Sequence, residues 1–346
     1  MKHFISYIVF ICICLSIALF LKNQKDPQED SRPIVRVFGN TSFVSQWGPG
    51  PRLKEAFEKE CNCKVEFFDS SDSNVLLQKL QNDVANSSAD VVVGFDQFDL
   101  EKAQQVISWK KINLPVIEWE DSIMGWSKSN YFIPYDYGVL AFNFRKSDNL
   151  TMPKHLEDML EPVYNKKISL EDPRTSSPGM QFLFWLVKLK GEEEAFKYLS
   201  KLSENILSIS PSWSSAYGLF QKGQAKTVFS YVTSPIYHLI EEKSHDYQFA
   251  EFSEGHPMQI EYVGIPAVCK SCELAEKFVA FMLSNQGQTI LMNKNYMLPV
   301  LRGVRKDTPF DAAANIKIFE NSEVPSMVER EKILQHWAEF RRSNGF

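Results

Sequence analysis

Short runs of β-branched and aromatic residues alternate with helical patterns in the first part of the chain. Ile34–Phe38, Lys64–Phe68 and Asp90–Val93 have the composition of strands, and the last of them is continuous in Val rather than alternating. Between these runs, Leu53–Glu60 and Val75–Val84 carry apolar residues at helical spacing. This β-α-β-α-β order predicts a parallel sheet that is covered by helices.

A second α/β set follows the segment Tyr131–Asn143, where the alternation pauses and then resumes with the strand Val139–Asn143. The pattern predicts further strands at Ile168–Leu170, Ile206–Ile209, Thr227–Tyr231 and Ile260–Val268. It predicts helices at Met180–Leu189, Glu192–Leu202, Pro235–Glu242 and Glu273–Ser284, and one that begins at Ser214. The order therefore predicts two sheets rather than one.

Two extended segments, near Val139–Asn143 and Ile260–Val268, connect the two predicted sheets. We therefore expect a discontinuous first lobe, residues 34–140 plus 263–308, and an inserted second lobe, residues 141–262. The sequence does not assign the C-terminal helical segment 309–346 to either lobe. Such an arrangement leaves a cleft between the lobes, and ligands usually bind in clefts at domain interfaces.

The N-terminal segment has the pattern of an export or anchoring sequence rather than of a folded element. Lys2 precedes the uncharged run Phe4–Leu21, which would be about 27 Å long as a helix. This order is typical of a secretory signal, but the apolar residues after the small-residue site Ser16–Ala18 equally fit a retained anchor. We expect residues 1–21 to be a signal peptide or membrane anchor, residues 22–33 a polar tether, and the remainder to lie outside the cytoplasm.

Composition narrows the class of protein further. The chain has 346 residues, which suits two domains, and its 44% hydrophobic content excludes wholesale disorder. A net charge of −5 argues against a nucleic-acid-binding protein, because phosphate contacts need a clustered basic face. The sequence contains no Gly-rich phosphate loop and no His-Glu-x-x-His or Gly-x-Ser-x-Gly motif, so it gives no sign of those enzyme classes.

Four cysteines follow the leader, at Cys61, Cys63, Cys269 and Cys272. In an oxidising compartment we expect them to form disulfides, and four cysteines allow three connectivities. Cys269 and Cys272 could close a local ring, whereas Cys61 and Cys63 would close a very small, strained one. Pairing within the two clusters and pairing between them therefore both stay open.

The segment Thr175–Gly179 directly precedes an apolar helix and has two interpretations. Ser176 and Ser177, followed by Pro178, have the composition of a plain helix cap. The same residues would also lie at the positive end of a helix dipole, where the free N–H groups can hold a phosphate or another anion. Local sequence alone favours the cap.

Aromatic and acidic residues gather where predicted strands end and predicted helices begin. The aromatic residues in such positions are Trp213, Tyr217, Tyr231 and Tyr237, and the acidic ones are Asp69, Asp72, Asp96 and Asp136. The rings either fill the core or stack on an aromatic or cationic ligand. The carboxylates either cap helices or bind an amine of the ligand.

Eight sequence blocks that include these residues occur in one order. They are Trp47–Pro51, Cys61–Cys63, Ala89–Gly94, Pro134–Gly138, Asp172–Gly179, Trp213–Phe220, Ser230–Pro235 and Phe252–His256. Together they resemble the thiamine-binding periplasmic component of bacterial ABC transporters, over about residues 35–300. The resemblance implies an α/β, two-lobe periplasmic binding protein fold of type II, with parallel-rich sheets and a ligand cleft between the lobes.

The same resemblance implies thiamine, thiamine monophosphate or thiamine diphosphate as the ligand and an ABC permease in the inner membrane as the partner. We expect a monomer in the periplasm, with no cofactor and no bound metal or nucleic acid. The residues that match the family's binding positions are Asp72, Ser73, Ser176, Ser177, Trp213, Tyr231, Ser234, Tyr237 and Tyr296. Asn40 and Tyr296 stand where the family can present a Tyr and a Trp, and Ser73 where it can present a Gly, so the preference among phosphate forms stays open.

Two other functions stay open beside this one. A thiamine-degrading enzyme class shares the fold, but its chemistry needs a cysteine nucleophile in the cleft, and none occurs between Lys64 and Val268. We therefore expect a binding protein without catalytic activity. The fold also serves for ferric iron and polyamines; the sequence lacks the Tyr-Tyr pair of an iron site, whereas composition does not separate a polyamine site.

Overall fold

A computed structural model describes residues 30–70, 73–82, 89–319 and 323–346, and in the second range it describes side chains from residue 76 onward. Strands and helices alternate as the apolar patterns predict, which confirms the α/β class. The strands are β1 (Ile34–Gly39), β2 (Lys64–Asp69), β3 (Val91–Asp96), β4 (Phe132–Arg145), β5 (Ile168–Glu171), β6 (Ile206–Ser210), β7 (Thr227–Tyr231), β8 (Tyr247–Phe249), β9 (Met258–Gly264) and β10 (Leu298–Pro299).

The helices follow the same order along the chain. They are α1 (Thr41–Val44), α2 (Gly50–Cys61), α3 (Ser73–Asn82), α4 (Leu100–Val106), α5 (Asp121–Met124), α6 (Ser177–Lys190), α7 (Glu192–Leu202), α8 (Trp213–Gln221), α9 (Ser234–Glu241), α10 (Cys272–Met282), α11 (Asn285–Asn295), α12 (Pro309–Ala313) and α13 (Met327–Asn344). Short 3-10 helices at Lys146–Asp148, Leu156–Leu160 and Pro162–Tyr164 lie between β4 and β5.

One sheet path runs through the described strands in the order β2-β1-β3-β9-β4-β7-β5-β6, and β10 and β8 also pair with β4. β1 pairs in parallel with β2 and β3, and β5 pairs in parallel with β6 and β7. The long strand β4 joins these groups, because Phe132–Val139 pairs antiparallel with β9 and Leu140–Phe144 pairs antiparallel with β7. The two predicted sheets thus share one strand. We call them the first half-sheet (β1, β2, β3, β9, β10) and the second half-sheet (β5, β6, β7, β8).

The aromatic segment before Val139 belongs to β4, so the predicted pause is wrong from Phe132 onward. The strand is buried from Phe132 to Phe144, and a strand covered on both faces shows no alternation of apolar and polar positions. Pro134 cannot donate a backbone hydrogen bond. The pairing with β9 accordingly shifts register between Pro134 and Asp136.

Two hydrophobic clusters lie against the half-sheets and adjoin each other along β4. The first contains Val93 and Val139, and the second contains Leu140 and Phe229. The C-terminal helix α13 packs Trp337 into the second cluster. All these residues belong to one compact unit, Ile34–Phe346, so the lobe limits expected from the sequence stay a prediction.

Both cysteine clusters close locally. Cys61 is bonded to Cys63 with Cα atoms 5.1 Å apart, and Cys269 is bonded to Cys272 with Cα atoms 5.2 Å apart. Cys61 ends α2, and Asn62 after it takes a left-handed conformation with φ 50°, which turns the chain back toward Cys63. Pairing between the two clusters, which the sequence left open, does not occur.

The N-terminal leader lies outside the described residues, as does most of the predicted tether. Residues 30–33, the end of that tether, have no regular secondary structure. Within the described ranges, no helix combines the length and the apolar character that a bilayer-spanning helix requires.

A buried carboxylate fastens the C-terminal helix to the loop after β5. Asp172 accepts hydrogen bonds from the guanidinium groups of Arg174 and Arg341 and from the indole N–H of Trp337. Burial opposes ionisation of Asp172, but the hydrogen bonds and charges of the two arginines outweigh burial and hold the pKa of this carboxyl below its usual range. Because Asp172 lies just before α6, the ion pairs also position the start of that helix.

We expect Asp172→Asn to lower the free energy of unfolding by about 2 kcal/mol at neutral pH, because both guanidinium groups lose their charge partner. The pKa of Asp172 is depressed in the folded state. The contribution of its carboxylate to the free energy of unfolding is therefore present above the unfolded-state pKa of about 4, and it is lost as the pH falls through the folded-state pKa. Urea unfolding at about pH 7 and at a series of lower pH values measures both the loss and its decline in acid.

The matched control is Glu55→Gln, which removes a carboxylate that bonds Arg52 and Lys59 on the exposed side of α2. Exposed ion pairs contribute little, so this variant should unfold like the wild type. A loss for Glu55→Gln as large as that for Asp172→Asn would contradict the role given to burial.

Candidate functional site

A cleft of about 930 Å³ lies where the loops that follow β1, β3, β5, β6 and β7 meet. Open α/β sheets bind ligands at the carboxyl ends of their strands, which is the edge that these loops form. The predicted site residues whose side chains are described all line the cleft: Ser176, Ser177, Trp213, Tyr231, Ser234, Tyr237 and Tyr296. Asp72 and the side chain of Ser73, the first residue of α3, lie outside the described part of the chain.

Trp213, Tyr217 and Tyr231 form one side of the cleft, which we call the aromatic wall. The Trp213 and Tyr217 rings stack with centroids 5.0 Å apart and planes 22° apart, and the Tyr231 ring centroid lies 6.3 Å from that of Trp213. The Trp213 indole N–H donates to Ser230 Oγ at 2.8 Å, and Ser230 Oγ lies 2.9 Å from Ser234 Oγ. These contacts fix the indole plane, so the half-buried Trp213 presents a preset face to a flat ligand ring.

The aromatic wall is supported from behind by a buried histidine. Tyr217 OH lies 2.8 Å from His238 Nε2, and His238 Nδ1 lies 2.7 Å from Glu242 Oε2. Burial lowers the pKa of His238, although the nearby Glu242 carboxylate opposes that shift. The other buried histidine, His256, contacts the Leu140 carbonyl through its Nδ1 atom. Neither histidine lines the cleft, so both act as internal supports.

Two of the three positions that depart from the family pattern, Tyr296 and Asn40, line the cleft, and the side chain of the third, Ser73, lies outside the described part of the chain. Tyr296 follows α11 in a left-handed conformation with φ 54°, its ring centroid lies 5.2 Å from that of Tyr237, and its hydroxyl donates to Glu241 at 2.6 Å. Asn40 caps α1, where its side-chain oxygen accepts from the Phe43 N–H. The cleft therefore keeps an aromatic ring at Tyr296 and has a capping amide at Asn40.

Ser176 occupies the N-cap position of α6, yet its side chain makes no capping hydrogen bond. Its hydroxyl oxygen is buried and has no hydrogen-bond partner among the described residues. Gly179 allows the first turn of α6 to pack on β5, because a Cβ there would lie 2.6 Å from the Glu171 carbonyl oxygen. An unused hydroxyl thus accompanies the positive end of the helix dipole at the cleft, which suits an anionic or hydroxyl-bearing group.

Two buried acids lie near this helix start. Burial, together with the charge of Asp99, raises the pKa of Asp96 well above its usual range, although a hydrogen bond with the Ser177 hydroxyl opposes the shift. Glu171 is 1% exposed, neither of its carboxyl oxygens has a partner among the described residues, and burial raises its pKa well above the usual range. Both shifts favour the neutral acids, which repel an anion less than carboxylates would.

Sequence reasoning did not identify every side chain of the cleft as part of the site. The lining also includes Trp47, Gln259, Glu261 and Asn295. The context of Trp47, between Gln46 and Gly48-Pro49, was a signal for an exposed ring at a turn, and the ring is 59% exposed. For Glu261 the signal was an isolated acid within an extended apolar run.

Known proteins resemble this chain in sequence over most of its length. The family model of the bacterial extracellular solute-binding proteins matches residues 52–318. The chain is 40% identical over 270 residues to the thiamine-binding periplasmic protein of Salmonella typhimurium, which covers 78% of this chain and 82% of that protein. It is 38% identical over 277 residues to the thiamine-binding periplasmic protein of Escherichia coli, with the same coverage. This chain belongs to the bacterial extracellular solute-binding proteins, in the family of the thiamine-binding periplasmic proteins.

Solved structures share the architecture as well. A periplasmic thiamin binding protein superposes with a TM-score of 0.75 at 34% identity and covers 90% of this chain and 96% of that one. A periplasmic binding protein from Actinobacillus pleuropneumoniae superposes with a TM-score of 0.71 at 18% identity and covers 89% and 98%, which bears on the fold alone. The type II periplasmic binding protein fold expected from the sequence is confirmed.

The aromatic wall depends on a glycine of β4. A Cβ at Gly138 would lie 2.4 Å from Cδ1 of the Tyr231 ring, so only a glycine lets the ring lie on the strand. We expect Gly138→Ala to displace Tyr231 and to lower the free energy of unfolding by about 1–3 kcal/mol. Urea unfolding measures the loss, and near-ultraviolet circular dichroism detects the changed surroundings of the aromatic rings.

Gly218→Ala is the matched control, because a Cβ at Gly218 in α8 would meet nothing within 4 Å. Alanine is the better helix former, so this variant should match the wild type or gain up to about 1 kcal/mol. Equal stability of the two alanine variants would show that the Tyr231 ring does not need the space above Gly138.

Proposed function

We propose that this protein captures thiamine, thiamine monophosphate or thiamine diphosphate in its cleft and delivers the ligand to an ABC permease in the inner membrane. The ligand class is supported by the relatives named above, which are thiamine-binding periplasmic proteins. The observation that carries the proposal is the combination of an aromatic wall with a helix start that bears the unpartnered Ser176 hydroxyl.

The chemistry of thiamine matches this combination. The vitamin joins a flat aminopyrimidine to a cationic thiazolium ring, and its hydroxyethyl group carries the phosphate in the esterified forms. The faces of Trp213 and Tyr231 offer the negative side of the ring quadrupole to a cation. Tyr237 and Tyr296 supply a second pair of rings in the same cleft, and Ser234 supplies a hydroxyl.

The residues at the start of α6 are proposed to hold the hydroxyl or phosphate end of the ligand. Ser176 offers a donor that none of the described residues uses, and the helix dipole favours negative charge at this position. Asp72 and Ser73 are proposed as further ligand contacts on the strength of the sequence resemblance. A carboxylate at Asp72 would suit the amine of the aminopyrimidine.

We propose a carrier rather than an enzyme. The class of thiamine-degrading enzymes needs a free cysteine nucleophile, and the cysteines of the described residues are all in disulfides. Ferric iron is disfavoured in turn, because the sequence has no Tyr-Tyr pair and the described residues contain no group of three or more His, Cys, Asp or Glu side chains arranged to hold a metal ion. Competition between thiamine and spermidine in a binding assay separates the vitamin from a polyamine.

The remaining parts of the proposal concern location and assembly. We propose a periplasmic monomer whose lobes, 34–140 plus 263–308 and 141–262, close over the ligand. Residues 1–21 would direct export, either as a signal peptide that is removed or as an anchor that is retained. Mass spectrometry of the purified natural protein, together with fractionation of the membranes, distinguishes the two fates of the leader.

We expect Trp213→Ala to weaken the binding of all three thiamine forms by at least about tenfold, because it removes a stacking surface that they share. Titration calorimetry with each ligand measures the change. Trp213→Phe is the control, since it keeps an aromatic face and loses only the hydrogen bond to Ser230. Unchanged affinity for Trp213→Ala, or the absence of binding heat for all three ligands with the wild type, would contradict the proposed function.

Ser176→Ala combined with Ser177→Ala should weaken the phosphorylated forms more than thiamine itself, by about tenfold in the ratio of affinities, because the unpartnered Ser176 hydroxyl and the Ser177 hydroxyl, which bonds Asp96 beside it, are both lost from the helix start. The same calorimetric series measures this ratio. Ser200→Ala on α7, whose hydroxyl bonds the Phe196 carbonyl, is a serine control outside the cleft. Equal losses for all three ligands would mean that the helix start does not hold the phosphate.

A further inference from the structure

Two acidic residues face each other near the centre of the sheet. Asp136 of β4 and Glu261 of β9 are cross-strand partners in the register of the two strands. Asp136 is 0% exposed and Glu261 is 8% exposed. Glu261 lines the cleft together with its strand neighbour Gln259 and the aromatic wall residue Tyr231, whereas Asp136 does not. The pair thus presents one carboxyl group to the ligand and keeps the other inside the protein.

The hydrogen-bond partners of this acidic pair are neutral. The Tyr135 hydroxyl donates to Glu261 Oε2 at 2.9 Å, and Asn295 Nδ2 donates to Asp136 Oδ2 at 2.7 Å and to Glu261 Oε2 at 3.2 Å. In the described parts of the chain, neither carboxyl forms an ion pair with a Lys, Arg or His side chain. Lys294, next to Asn295, lies 3.9 Å from Glu241 instead. The described residues therefore supply hydrogen bonds to the pair but no compensating positive charge.

The geometry also indicates that the two carboxyl groups share a proton. They lie close together, because the one amide nitrogen Asn295 Nδ2 is 2.7 Å from Asp136 Oδ2 and 3.2 Å from Glu261 Oε2, and two ionised carboxylates so placed would repel each other. Asp136 Oδ1 is buried and has no partner among the described residues, which a proton on Asp136 that bonds Glu261 would explain. Burial, reinforced by the Glu261 charge, raises the pKa of Asp136 well above its usual range. One negative charge then remains on the pair. Burial raises the pKa of Glu261 too, but the Tyr135 hydroxyl donates to Glu261 and not to Asp136, which favours placing the charge on Glu261.

We propose that Glu261 is the countercharge for the cationic ring of the ligand and that Asp136 holds the proton that keeps the pair at a single negative charge. This inference rests on the proposed function, because it specifies how a thiamine cleft would select for charge. A carboxylate buried beside neutral groups is costly, and a bound cation offsets that cost. An uncharged ligand of the same shape would fill the cleft without offsetting it.

The other ionisable groups around the pair leave this charge balance unchanged. Asp96 of β3 is the register partner of Glu261 on its other side, and burial, together with the charge of Asp99, raises the pKa of its carboxyl well above the usual range, which favours the neutral acid. Tyr135 on β4 and Tyr231 on β7 also lie beside the pair, and burial raises the pKa of both phenols well above the usual range. Both hydroxyls are therefore neutral near pH 7. Asn295 of α11 carries no charge, and Tyr231 OH donates to Gln259 Oε1 at 3.2 Å.

The test compares thiamine with deazathiamine, an uncharged analogue of the same shape in which carbon replaces the thiazolium nitrogen. Titration calorimetry at about pH 7 gives the ratio of the two affinities for each protein variant. We expect the wild type to prefer thiamine by at least about tenfold. Glu261→Gln should bring the ratio close to one while it retains binding of deazathiamine, which also shows that the variant is folded.

Asp136→Asn is the matched control, because its amide can still donate to Glu261 and leaves the charge on Glu261 in place. This variant should keep the preference for thiamine. Trp213→Ala should weaken both ligands and keep a preference for thiamine, since it removes a stacking and cation–π face but leaves the charge of Glu261 in place. Protonation of Glu261 should act like Glu261→Gln, so the wild-type ratio should fall as the pH is lowered through the pKa of this residue.

Each contrary result has a definite meaning. A wild type that binds both ligands equally, or a Glu261→Gln variant that keeps the preference, overturns the inference and leaves the proposed function intact. A preference lost in Asp136→Asn and kept in Glu261→Gln would assign the charge to Asp136 and overturn the assignment made here. A wild type that binds neither ligand would contradict the proposed function itself.

Discussion

The strand β4 makes backbone hydrogen bonds to both half-sheets, and the position of the cleft follows from this sharing. Its 14 residues pair first with β9 and β10 and then with β7 and β8, so its buried backbone groups find partners on both edges. Because one strand serves both half-sheets, the loops at the ends of the strands converge on a single cleft. The same strand carries Gly138, on which the Tyr231 ring lies, and Asp136, which pairs with Glu261.

The chemistry of the cleft depends on residues that no ligand would touch. His238 orients Tyr217, Ser230 orients Trp213, and Asp172 ties the loop before α6 to the C-terminal helix. Burial favours the neutral form of several acidic side chains near the cleft. An acidic protein can therefore offer both a helix dipole to an anion and a carboxylate to a cation. The net charge of the chain, −5, therefore says little about the site, because the charge that matters there is local.

Much of the element order could be predicted from the sequence, because apolar periodicity is a local property. The helix Glu192–Leu202 and the strand Thr227–Tyr231 occur with the predicted bounds, and most of the other elements that were predicted differ from the prediction by a few residues at their ends. The start of β4 was missed for a physical reason. Its polar side chains are buried against β9 and α11, and such partners leave no mark on the periodicity of the strand itself.

The sequence by itself determined the α/β class, the family resemblance and part of the set of residues that gather in the cleft, since motifs and periodicity are recorded along the chain. Tertiary structure alone decided how those residues are used. It showed that the Ser176 hydroxyl is not consumed in capping α6, that the cysteines pair locally through the turn at Asn62, and that Glu261 meets Asp136. Each of these outcomes depends on which groups from distant parts of the chain surround a side chain and on how far they exclude water from it. Neighbouring positions in the sequence reveal neither of these.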